Sequence, residues 1–64
     1  MVSNEIVLLK IIEKNGKISL LRERGLSHSQ IAMLINEQQL EGNIVISDTA
    51  ITLTPKGTGV LQEN

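Results

Sequence analysis

The sequence predicts a small α+β domain, and three observations carry that prediction. Up to Glu41 the apolar residues recur at helical spacing, behind serine caps and ahead of Asn-Gly or Gly stops. After Gly42 the spacing changes to an alternation near two, through β-branched runs. With 64 residues, no cysteine and no aromatic side chain, the chain can build one core from Ile, Leu, Val and Met, unbraced by a disulfide or a thiolate metal site. The expected layout is one domain over residues 1–64. It holds three helices, a two- or three-stranded antiparallel hairpin and a short C-terminal helix.

The elements follow in order. Ser3 caps a first helix from about Asn4 to Lys14, with Glu5 in the first turn and Asn15-Gly16 as its stop. Val2, Ile6, Leu9 and Ile12 form one stripe, which Leu8 and Ile11 widen, so the helix is expected to be gripped on more than one side. Lys17-Ile18-Ser19 is long enough only for a bridging strand. Ser19 then caps a short helix over Leu20 to Arg24, with Leu20 and Leu21 inward and Gly25 as a left-handed stop.

The strongest local signal comes next. Ser27 and Gln30 have the spacing of a capping box, and Leu26 and Ile31 that of a hydrophobic staple. The helix they start presents Ile31, Leu34 and Ile35 to the core and ends near Glu41 with Gly42 behind it. Residues 43–47 and 50–54 are strand-like, joined through Asp48-Thr49, with Ile51 and Leu53 on one face and Thr52 and Thr54 on the other. Thr54-Pro55 suits the start of a last helix over Lys56 to Gln62, docked by Val60 and Leu61 and weakened by Gly57 and Gly59.

Charge narrows the function classes. The formal net charge is -1, so no global field favours nucleic acid or an anionic membrane. Residues 1–26 nevertheless carry Lys10, Lys14, Lys17, Arg22 and Arg24 against three acids, whereas residues 27–54 carry no cation against Glu37, Glu41 and Asp48. No apolar run approaches the ~20 residues that span a bilayer, and the N-terminus lacks the basic start of a secretory signal. A soluble protein of the cytoplasm, without a membrane partner, is expected. No nucleophile, base and acid set, phosphate loop or metal-ligand cluster appears, so neither an enzyme nor a cofactor is expected.

The order of elements resembles the winged helix-turn-helix family over nearly the whole chain. The resemblance rests on the turn Arg24-Gly25-Leu26-Ser27, the exit Leu40-Glu41-Gly42-Asn43-Ile44, and Leu53-Thr54-Pro55-Lys56-Gly57, which looks like the L-T-x-x-G step of many bacterial winged-helix proteins. It implies double-stranded DNA as partner, the capped helix in the major groove and the hairpin as a wing, in a transcriptional regulator or an accessory module. Transferred residue by residue, His28, Ala32, Met33 and Asn36 would face bases. Lys17, Arg22, Arg24 and Ser29 would meet phosphates, Ser29 with the free amides of the helix start.

Plainer readings stand beside these. His28 without a second histidine is a poor metal ligand, and Met33 suits a core edge or a partner contact better than a base-stacking wedge. Asn36, Gln38 and Gln39 make a polar flank of the kind that usually faces solvent. The capped helix offers no Arg or Lys, and Asp48 sits at the wing tip, where DNA would favour a base. The alternative is therefore a protein-interaction module that uses Ala32, Met33 and Leu40. In either case the chain could act as a homodimer or as one piece of a larger protein.

Overall fold

Three helix endings set the path of the chain. The computed structural model describes residues 3–63, so the expected place of Val2 on the first stripe falls outside them. Helix α1 spans Asn4–Glu13, with the Ser3 hydroxyl accepting from the Ile6 amide at 3.3 Å. It ends as the Asn-Gly pair foretells. Asn15 takes φ 56°, and the Asn15 and Gly16 amides turn back to the Ile12 and Ile11 carbonyls at 3.1 and 2.8 Å. Asn is among the few non-glycine residues that tolerate that conformation.

The next segment departs from the sequence expectation in three respects. Lys17-Ile18-Ser19 forms no strand; a 3-10 helix occupies Ile18–Arg24, and Lys17, with no side-chain cap bond, stands at its start in place of Ser19. Leu21 is fully buried, but Leu20 is 47% exposed. The cause is the period. At three residues per turn, Ile18 and Leu21 share the inward row and Leu20 stands a third of a turn away, whereas an α-helix could have tilted both leucines inward. Gly25 closes this helix at φ 92°.

Helix α2, His28–Leu40, begins with the full capping box. The Gln30 amide donates to Ser27 Oγ at 3.2 Å, and the Ser27 amide donates to Gln30 Oε1 at 2.8 Å. Its far end repeats the α1 ending with Gly42 at φ 81°, the Gly42 and Asn43 amides donating to the Gln39 and Gln38 carbonyls. Strands β1 (Ile44–Ile46) and β2 (Ile51–Leu53) then pair antiparallel, Ile44 opposite Leu53 and Ile46 opposite Ile51. They form a two-stranded sheet, shorter than the β-branched runs suggest and without a third strand among the described residues. Ser47 ties the tip, its hydroxyl donating to the Ala50 carbonyl at 2.9 Å.

Helix α3, Pro55–Glu63, folds back on the junction between α2 and β1. Thr54 joins the two. Its hydroxyl donates to the Gly42 carbonyl at 2.6 Å and accepts from the Gly57 amide at 3.0 Å. Lys56 Nζ donates to the Glu41 carbonyl at 2.6 Å, a cation at the negative end of the α2 dipole. At Gly57 the two backbones nearly touch, since a Cβ there would lie 2.1 Å from the Asn43 carbonyl oxygen.

The core joins all these elements. Leu8, Leu9, Ile12, Leu21, Ile31, Leu34 and Ile44 form one buried cluster, with Leu26, Ile35, Ile51, Leu53, Val60 and Leu61 packed around it. Helix α1 is its axis, packing on the 3-10 helix, α2, β2 and α3. That explains why Leu8 and Leu9, neighbours in sequence, are both inaccessible to solvent. One polar pair is buried as well. Gln38, expected on a solvent-facing flank, is only 3% exposed, and its Oε1 accepts from Asn43 Nδ2 at 2.8 Å. The two residues sit where this kind of helix ending commonly places an apolar contact. Asn43 Oδ1 has no hydrogen-bond partner among the described residues.

Candidate functional site

The exposed surface of α2 divides into two flanks of different character. With Ile31, Leu34, Ile35 and Gln38 toward the interior, about 100° per residue puts Ser29, Met33, Asn36 and Leu40 outermost. His28, Ala32 and Gln39 then lie on one flank, and Gln30, Glu37 and Glu41 on the other. All ten of these residues outside the interior row are exposed.

A cation reaches the flank with His28 at the helix start. Arg22 Nη1 donates to His28 Nε2 at 2.7 Å, which requires that nitrogen to carry no proton, because a guanidinium only donates. The contact holds Arg22 beside the positive end of the α2 dipole. Of the first four amides of α2, Gln30 and Ile31 are taken by Ser27, so those of His28 and Ser29 are the two left outside the cap. A guanidinium at a helix N-terminus is electrostatically adverse, by some tenths of a kcal/mol. An anion bound between them would reverse the sign.

The opposite flank is acidic. Asn4 and Glu5 of α1 lie across a groove from Gln30, Met33 and Glu37, over a floor of Leu26 and Leu34. Met33, 63% exposed, stands at its edge.

The candidate phosphate contacts are therefore not one cluster. Arg22 reaches the α2 start at His28, the residue before Ser29. Arg24 turns the other way, its Nε donating to Asn4 Oδ1 at 3.1 Å and its side chain lining a groove with Lys10 and Lys14. Lys17 precedes the 3-10 helix, roughly 14 Å along its axis from Arg24. Of the candidate base-facing residues, His28, Ala32 and Asn36 look outward or toward the Arg22 side, and Met33 borders the acidic groove. The hairpin adds no cation. Its exposed residues include Val45 and Ile46, at 52% and 42%, and Asp48.

The Gln38–Asn43 pair has a local signal in the sequence. Gly42 as a left-handed stop fixes Gln38 and Asn43 as the residues its hydrogen bonds join, which would have flagged them as a pair. The directions of Arg22 and Arg24 leave no such trace.

Among the described residues, no group of three or more His, Asp, Glu or Cys side chains could hold a metal ion, and no helix is long and apolar enough to cross a membrane. No family model matches the chain, and neither a curated protein nor a solved structure gives a significant match.

Proposed function

We propose that the chain is a winged helix-turn-helix module that docks on duplex DNA through the start and the His28 flank of α2, as a regulator or an accessory domain. The observation that carries this reading is the Arg22–His28 hydrogen bond, which brings a guanidinium to the side chain of the first residue of α2. That constellation suits one phosphate oxygen better than it suits solvent. Ala32 and Asn36 follow on the same side of the helix. An Asn there has the donor and acceptor to pair with an adenine edge.

Magnitudes set the kind of binding. One guanidinium and a pair of amides make one or two phosphate contacts, which corresponds to a salt slope of about -1 to -2 and a Kd near 10⁻⁴ M. Such a module orients and adds specificity within a dimer or a larger chain, and supplies little affinity of its own. Titrating labelled protein with a mixed-sequence duplex at low salt tests this. The reading predicts amide shifts at Arg22 and across residues 28–36. No shift with duplex at about 100 μM and above would remove it.

A second reading, docking on another protein, is favoured by the apolar exposure on the same elements. Leu40 is 79% exposed, and Met33 and Val45 are more than half exposed. Single exposed apolar residues are ordinary, but three on α2 and the adjoining strand point to a contact surface. Shifts with a protein ligand and none with DNA would select it.

A further inference from the structure

Two grooves border α1, one at its first turn and one along Val7 to Lys14, and they are opposite in charge. One, of about 480 Å³, has Val7, Ile11 and Leu20 as its apolar lining and Lys10, Lys14 and Arg24 around it, with no acid among the described residues that line it. The other, of about 280 Å³, lies over Leu26 and Leu34 with Glu5, Glu37 and Met33 around it and no cation among the described residues that line it. Each has an apolar side chain standing out from it, Leu20 at 47% and Met33 at 63% exposure. They are adjacent. Asn4 lines the acidic groove and accepts a hydrogen bond from Arg24, which lines the basic one.

We propose that the occupant of both grooves is a second copy of this chain, related by a two-fold axis near Asn4 and Arg24. In this arrangement Met33 of one protomer enters the basic groove of its partner, and the partner's Leu20 enters the acidic groove in return. The argument is self-complementarity. A surface that carries a knob and a cationic groove next to a knob and an anionic groove matches its own two-fold image, because each half meets its opposite twice. A head-to-tail arrangement would also join the two grooves but would leave the acidic one open at one end of the assembly and the basic one open at the other. The two-fold arrangement closes. It also leaves the His28 side of α2 uncovered in both protomers, and it would hold independently of DNA binding.

Sedimentation of the purified chain without DNA tests the dimer. The expected result is a monomer-dimer equilibrium with a Kd between about 10 μM and 1 mM, weakening as salt screens the rim charges. Reversing one groove (Lys10→Glu with Lys14→Glu) or the other (Glu5→Lys with Glu37→Lys) should weaken self-association about tenfold or more. Mixing the two variants should restore a heterodimer, which a mere folding defect could not do. Met33→Ser and Leu20→Ser, both at exposed positions, should weaken the dimer with an unchanged circular dichroism spectrum. A chain that stays monomeric near 1 mM at low salt would overturn the proposal. So would a dimer indifferent to these substitutions, or open-ended assembly beyond the dimer.

Discussion

Replacing Gly57 by alanine puts the close approach of α3 to the Asn43 backbone to the test. The new Cβ would lie 2.1 Å from the Asn43 carbonyl oxygen and 3.2 Å from Leu53 Cδ2, where real Cβ atoms do not come within 3.0 Å. Helix α3 would have to withdraw by at least the difference, 3.0 minus 2.1, or 0.9 Å. Three hydrogen bonds span that junction: Thr54 Oγ1 to the Gly42 carbonyl, Lys56 Nζ to the Glu41 carbonyl, and the Thr54 amide to the Asn43 carbonyl. At about 1 kcal/mol each, their loss outweighs the gain of up to about 1 kcal/mol from the better helix former, leaving a net destabilisation near 2 kcal/mol. For a domain of this size that lowers Tm by roughly 8–16 °C. Gly59→Ala is the internal control. It lies in the same helix with nothing within 4 Å of its Cβ, so it should raise stability by about 0.5–1 kcal/mol. Thermal unfolding followed by circular dichroism reads both. A Gly57→Ala protein as stable as wild type would refute the account of the α2–α3 junction.

Three further changes probe the fold. Ser27→Ala removes the acceptor of the Gln30 amide and should cost about 1 kcal/mol in urea unfolding, with an unchanged m-value. Thr54→Val loses both the bond to Gly42 and the cap on Gly57, an expected loss of about 1–3 kcal/mol, while Thr54→Ser should recover most of it. Asn43→Ala strands the Gln38 amide in the interior and should cost about 1–3 kcal/mol. Adding Gln38→Leu should return part of that, because no buried polar partner then remains unpaired; a double variant no more stable than Asn43→Ala alone would contradict this.

Local signals in the sequence were legible, and contacts between distant segments were not. The Ser3 cap, the Ser27 and Gln30 box, and the stops at Asn15, Gly25 and Gly42 each depend on residues within about six positions, so spacing alone reveals them. Leu20 was misplaced because spacing does not distinguish five residues of α-helix from a 3-10 helix, and only the latter turns Leu20 away from Leu21. Gln38 was misjudged because its burial depends on Asn43 and on the return of α3 over that corner. The step Leu53-Thr54-Pro55-Lys56-Gly57 was visible as a pattern, yet its mechanical reason is the α2 end some twelve to fifteen residues away, at Gly42 and Glu41. The candidate site was legible by residue type. Its division, with Arg22 toward His28 and Arg24 toward Asn4, follows from two side-chain bonds that no periodicity encodes.

That division gives the most direct test of the DNA reading. The largest local concentration of cations, Lys10, Lys14 and Arg24, lies on the α1 groove and not on α2. Nonspecific attraction to a polyanion and the proposed docking therefore point to different faces. A map of amide shifts with duplex DNA across a salt series, for wild type and Arg22→Ala, separates them. The account predicts shifts at Arg22 and residues 28–36, little change at Val7, Lys10, Lys14 and Leu20, and a salt slope smaller by about 1 in Arg22→Ala. Shifts centred on the α1 groove and untouched by Arg22→Ala would contradict it.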